Sequence, residues 1–204
     1  MEINVEDLKK IPPEPAARLL AKSNVKLGTQ LESPASASVT DILKELAEQD
    51  AGTDAMQLLA VALPTREAVW WACLAAEDLV GEAEEDATPS LGAAKAWVHE
   101  PDTDHKVAAR VAMESADFDD DTVYCAMAAY YADGTLGTGD QAEQPAPPGA
   151  VPGAVFAQNM LAIGASQATF EEAVELLIAR ALDIARGGNG RISEPDAGPT
   201  EGDI

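Results

Sequence analysis

Arg66-Glu-Ala-Val-Trp70-Trp71-Ala-Cys73-Leu-Ala-Ala-Glu77-Asp78-Leu-Val80-Gly81-Glu82 is the stretch on which the fold turns. Val69, Trp70, Cys73, Leu74 and Val80 fall mostly at helical spacings, so the stretch predicts an amphipathic helix from Arg66 to about Glu82. Trp70 joins that stripe and is expected to be a core anchor, as is Trp97. Trp71 stands about 100° round the helix and cannot face the same core centre. Trp is enriched at interface hot spots, which makes Trp71 a candidate partner-binding residue.

The same helical grammar extends outward in both directions. Upstream, Pro12-Pro13-Glu14-Pro15 leads into a short apolar stretch at Leu19-Leu20, and residues 28–38 read as a Ser/Ala/Pro loop. Thr40 is expected to cap a helix carrying Ile42, Leu43 and Leu46, and Gly52-Thr53 separates it from one carrying Met56, Leu59 and Leu63. Downstream, Thr88-Pro89 is an N-cap followed by proline at the first helical position. Pro101 ends that helix, and Asp102 or Thr103 starts another, with Val107, Ala108, Val111 and Ala112 inward and an Arg110–Glu114 pair outside. Val123, Met127, Tyr130 and Tyr131 follow, closed by Gly134. After the proline-rich loop 140–153 come a helix carrying Val155, Phe156, Met160 and Ile163, and a last one opened by the capping box Thr169-x-x-Glu172.

Alternating strand patterns are nearly absent. The expectation is therefore all-α: one compact multi-helix bundle of about eight or nine helices, with an α-α superhelical array as the alternative. The divisions read as a segment 1–38 with a short helix and loop, a helical domain 39–188, and an acidic tail 189–204 expected to be disordered.

The chain carries 36 Asp and Glu against 13 Lys and Arg, a net charge of −23. Such a surface repels phosphate, so nucleic acid and anionic membrane are unfavourable partners; the charge reads first as solubility and otherwise as an acidic face steering a basic protein partner. No run approaches the roughly 20 apolar residues of a membrane span. The acidic N-terminal stretch does not read as a secretory signal, so a cytoplasmic location is expected. Cys73 and Cys125 lie in apolar helical patterns without a metal-ligand spacing, and are expected to be reduced core thiols.

Candidates for chemistry are few. His99 and His105 sit near helix ends, where polarity explains them. Asp117-Phe118-Asp119-Asp120-Asp121 lacks the glycine and glutamate of a calcium loop and reads as charge preceding a helix start. The glycines at 134, 137 and 139 follow a helix and lack a Lys-Ser/Thr, so they read as helix termination. No cofactor, catalytic residue or metal ligand is expected.

Pro64-Thr-Arg66-Glu67-Ala-Val69-Trp70-Trp71-Ala-Cys73 resembles an Arg-Glu-Ala-Val-Trp-Trp-Ala-Cys helix of an uncharacterised bacterial family of alanine-rich proteins. Ala96-Trp97-Val98, Tyr130-Tyr131-Ala-Asp-Gly134-Thr-Leu136 and Leu182-Asp183-Ile184-Ala185-Arg186-Gly187 extend the resemblance to roughly residues 55–188. At the helix exit the family often has Phe-Trp-Ser-Gly-Gly-Ser, where this chain has Tyr-Tyr-Ala-Asp-Gly-Thr. The family is frequently encoded near type VI secretion genes, so the resemblance implies an accessory or adaptor role and supplies no catalytic residue.

Two functions follow as expectations. One is a non-enzymatic cytoplasmic interaction protein, an adaptor or chaperone-like accessory, engaging a protein partner through Trp71, Tyr130 and Tyr131. The other is an enzyme with Glu67, Glu77 and Asp78 lining an acidic groove near Trp70-Trp71. Glu67 and Asp78 would stand about 16 Å apart by helix rise, too far for a paired acid and base.

Overall fold

Helix ends carry most of the capping chemistry announced by the sequence. A computed structural model describes residues 1, 3–83, 87–137 and 143–192, which form nine helices and no strand. These are α1 (Ala16–Lys22), α2 (Val39–Glu48), α3 (Gly52–Ala62), α4 (Thr65–Val80), α5 (Pro89–His99), α6 (Thr103–Glu114), α7 (Val123–Tyr131), α8 (Ala150–Ala165) and α9 (Phe170–Arg186). Thr88 caps α5 ahead of its first-turn proline, Asp102 caps α6, and Thr169 with Glu172 forms the expected capping box on α9. Gly187 closes α9 in the left-handed conformation. At α2 the cap is Ser38 in a capping box with Asp41, two residues before the expected Thr40.

α4 is the axis of the molecule: α5, α7, α8 and α9 all pack on it. Ala68, Val69, Trp71, Ala72, Cys73, Leu74, Ala75 and Ala76 are all buried, so α4 is apolar nearly all round, as a central helix must be. Its alanines let neighbouring backbones approach closely. In a repeat array each unit touches only its neighbours, whereas here four helices share one. The architecture is the all-α bundle, not the superhelical alternative.

The N-terminal segment belongs to this core. Val5, Leu19, Leu20 and Leu27 are buried with the helical residues. The Lys10 amide donates to the Ala185 carbonyl over 2.9 Å. Arg186 donates to the carbonyls of Asn4 and Glu6, tying the segment along the end of α9.

Two boundaries fall elsewhere than expected. Helix α8 begins at Ala150 and takes Pro152 into its first turn, where the missing donor is harmless, so the proline-rich loop ends earlier. Gly149 before it has φ +81°, and a Cβ there would meet the Ser23 carbonyl oxygen at 2.3 Å, so only glycine fits this close approach to the end of α1. Residues 140–142 of that loop, and Gly139 of the glycine cluster, lie outside the described residues. Within the expected tail, Gly190 is buried and its amide donates to Asp183 over 2.9 Å, while Asn189, Arg191 and Ile192 beside it are exposed. Residues 193–204 of the expected tail lie outside the described residues.

Helix α6 is turned relative to its expected facing. Lys106, Ala109 and Ala112 point inward, while Val107 and Val111 are 37% and 58% exposed. The reason is Lys106: its ammonium is held by both oxygens of Asp133 at 2.6 Å and by the Thr135 hydroxyl at 2.5 Å. With its charge satisfied, the aliphatic stem packs inward and displaces the valines. The Arg110–Glu114 pair forms as expected, at 2.7 Å.

Candidate functional site

The two tryptophans exchange the places expected of them. Trp71 is fully buried and its indole N–H donates to the Leu177 carbonyl of α9 at 3.0 Å. Trp70 is half-buried at the rim, where its N–H donates to the Asn189 carbonyl at 2.7 Å. Since α4 is apolar on almost every side, the spacing of its residues gives no polar face to choose between adjacent rings. Trp97, 7% exposed, is buried as expected. Trp71 therefore presents no surface to a partner.

Tyr130 is also committed internally. It is 6% exposed, its hydroxyl donates to the Leu136 carbonyl, and Lys106 and Arg110 lie over its ring at 5.5 and 6.0 Å. Burial raises its hydroxyl above the ordinary tyrosine value, against the opposing charge of Arg110. Tyr131 is half-buried, its ring 4.6 Å from that of Tyr130. These rings, with Lys106, Asp133 and Thr135, fasten the exit of α7 to α6. Of the three expected anchors, only Tyr131 keeps any appreciable accessible surface.

The acidic residues of α4 are neutralised one by one. Glu67 meets Lys10 at 2.8 Å. Glu77, only 3% exposed, meets Lys95 at 2.9 Å and Arg191 at 2.8 Å. Asp78 takes a two-point contact from Arg180, one arm of it at 3.0 Å. Each carboxylate has a cation of its own and none faces another across a shared proton, so the arrangement does not favour paired acid–base work.

The remaining sequence candidates have structural explanations. Asp120 accepts from the Ser90 and Thr122 hydroxyls, both at 2.6 Å, and thereby joins the starts of α5 and α7. Phe118, in the same acidic run, is fully exposed. Glu100, Asp102 and His105 have ligand atoms close enough to share a cation. Asp102, however, already accepts from the His105 backbone and ring, and its carboxyl is held below the ordinary range first by that backbone bond. Cys73 and Cys125 are buried and unlinked; burial first, then the neighbouring Cys73, pushes the Cys125 thiol well above the ordinary range.

A concavity of about 590 Å³ lies elsewhere, between the start of α3 and the start of α9. Asp50, Thr53, Phe170, Glu171, Val174 and Glu175 line it. Asp54 beneath is nearly buried and fixes the 28–29 loop by accepting the amides of Gly28 at 3.1 Å and Thr29 at 2.6 Å. Phe170 is the first residue of α9 and is 49% exposed. Asp50 pairs with the amine of Met1, which also lines the groove; among the described residues Glu171 and Glu175 make no ion pair and no Lys or Arg side chain lines it. A half-exposed ring over a carboxylate-lined floor suits an apolar side chain flanked by cations. The helical spacing of Phe170, Ala173, Val174, Leu177, Ala181 and Ile184 predicts one buried stripe; the last five are buried, but Phe170 is not. The sign that it lies outside is its place immediately after the cap, where the first turn overhangs the bundle.

The fold and these sites can be set beside known proteins. Comparison with curated proteins and with solved structures finds no match. Residues 42–185 match a family of unknown function, DUF6931, a span that runs from α2 to the end of α9 and leaves out the N-terminal segment. The chain belongs to that family.

Proposed function

We propose that this chain is a non-enzymatic interaction protein, an adaptor or chaperone-like accessory, that docks a basic protein segment in the groove between α3 and α9. The observation that carries the reading is the unneutralised pair Glu171 and Glu175 beside the half-exposed Phe170. Opposed charge accelerates encounter, and an apolar anchor in a concavity slows release. A net charge of −23 adds a long-range field of the same sign. An accessory role beside a type VI secretion apparatus, implied by the sequence resemblance, belongs to the same proposal and suggests where basic partners should be sought.

The test is surface plasmon resonance on the immobilised whole protein, with a synthetic Lys/Arg-rich peptide carrying a central leucine as analyte, so that association and dissociation rates are both read. Phe170→Ala should weaken binding mainly through faster dissociation. Glu171→Gln with Glu175→Gln should slow association and flatten the salt dependence. Binding indifferent to both sets of substitutions would defeat the proposal.

A further inference from the structure

We propose that Trp70, Glu77 and Glu82 form an arginine-recognition site, that the chain's own Arg191 fills it in cis, and that an arginine of a basic partner is the ligand it takes in exchange. The site shares no residue with the α3/α9 groove, so either can fail while the other stands.

A guanidinium is planar and donates from a fixed fork, so it is recognised by carboxylates on its edge and an aromatic face beside it. Arg191 meets all of these. One terminal nitrogen lies 2.8 Å from Glu77, the other 3.2 Å from Glu82, and its central carbon is 5.4 Å from the centre of the Trp70 ring. An ammonium would supply the charge but could not bridge the two carboxylates while facing the ring.

Local charge sets the site's preference for a cation. Glu77, Asp78 and Glu82 are opposed by Lys95, Arg180 and Arg191. Arg180 is taken by Asp78 and Lys95 by Glu77, so withdrawing Arg191 leaves a net negative cluster around a buried carboxylate. Glu77 cannot turn to water for relief, since its side chain is 2% exposed.

Two features make Arg191 exchangeable. Oε2 of Glu77, although 2.8 Å from the guanidinium, receives no aligned hydrogen bond, so the resident arginine leaves a buried acceptor incompletely used. The backbone beside Arg191 is also anchored independently of its side chain. The Asn189 carbonyl accepts from Trp70, and the Gly190 amide donates to Asp183. Gly190 has φ +72°, and a Cβ there would meet Leu74 at 2.7 Å, so the turn is seated tightly. The Arg191 side chain, 36% exposed, can therefore swing out while the strap stays in place. Arg191 itself lines a cleft of about 170 Å³ together with Leu74, Glu77, Asp78, Glu82 and Arg180, the last held by Asp78.

The test uses full-length Arg191→Ala, shown to be folded by circular dichroism, titrated with N-acetyl-arginine amide and followed at the backbone amide resonances of Glu77, Glu82 and Gly190. Saturable binding is expected, at least about tenfold tighter than to the unaltered protein, where the tethered arginine competes at an effective concentration in the millimolar range. N-acetyl-lysine amide should bind markedly more weakly, and adding Trp70→Leu should remove the preference. If Arg191→Ala does not fold, Arg191→Lys carries the same comparison, because it keeps a cation on the strap but surrenders the fork. Absence of saturable binding to the folded variant, or equal binding of the two amides, would overturn the proposal.

Discussion

Replacing Trp71 by alanine removes the largest fully buried side chain of the molecule from the helix that four others share. A buried Trp→Ala change costs about 3–5 kcal/mol through lost transfer energy and a cavity that closes only in part. The Leu177 carbonyl also loses the indole donor, adding about 1 kcal/mol. Domains of this kind hold about 5–15 kcal/mol in all, so the loss is a large share of the whole. At about 2–4 °C per kcal/mol for a chain of this length, the melting temperature should fall by roughly 8–24 °C. Trp71→Phe keeps much of the ring volume but not the donor, and should lose about half as much. Trp70→Ala, at the rim, should lose about 1–2 kcal/mol, because only part of its surface is removed from water. The assay is urea unfolding followed by far-ultraviolet circular dichroism, with the slope compared among variants. A Trp71→Ala loss below about 1 kcal/mol, or a larger loss at Trp70, would refute the assignment of the two rings.

Other outcomes follow from the same contacts. Burial alone would raise the Asp133 carboxyl, but Lys106 and the Thr135 amide and hydroxyl outweigh it and hold the group below its ordinary 3.8. A depressed carboxyl contributes stability that is present above its ordinary value and is lost as pH falls below about 4. Asp133→Asn should therefore cost about 1–2 kcal/mol at neutral pH, discounted because Asp133 is half-exposed, and the gap to the unaltered protein should close in acid. A gap independent of pH in unfolding titrations would contradict this. The thiols of Cys73 and Cys125, both fully buried, should react with an aromatic disulfide reagent only as fast as the protein opens. Rapid labelling of either in the native protein would place it at the surface.

The helix succession was legible because caps and breakers act locally. Thr88-Pro89, Asp102, Thr169 with Glu172, and Gly187 each satisfy orphan groups within a few residues, and each stands where its side chain announces it. Facing was legible only where a helix has a polar side to define it. α9 has one, and of its expected stripe Ala173, Val174, Leu177, Ala181 and Ile184 are buried, while Phe170 at its head is not. α4 lacks one, so the choice between Trp70 and Trp71 rested on a donor finding the Leu177 carbonyl, 106 residues away. α6 misled because Lys106 is buried by partners on the α7 exit, which no pattern local to α6 reveals. The groove was illegible for the same reason: Asp50, Phe170 and Glu175 come together only when α3 and α9 pack.

The central claim is that a basic segment docks between α3 and α9, and mapping the backbone amide resonances of the whole protein during titration with the Lys/Arg-rich peptide tests it most directly. The account predicts shifts concentrated at Thr29, Thr53, Phe170, Glu171 and Glu175, with weaker apparent affinity as salt rises from about 0.05 to about 0.5 M and the Debye length shrinks. Shifts scattered over the acidic surface, or centred away from that groove, would contradict it.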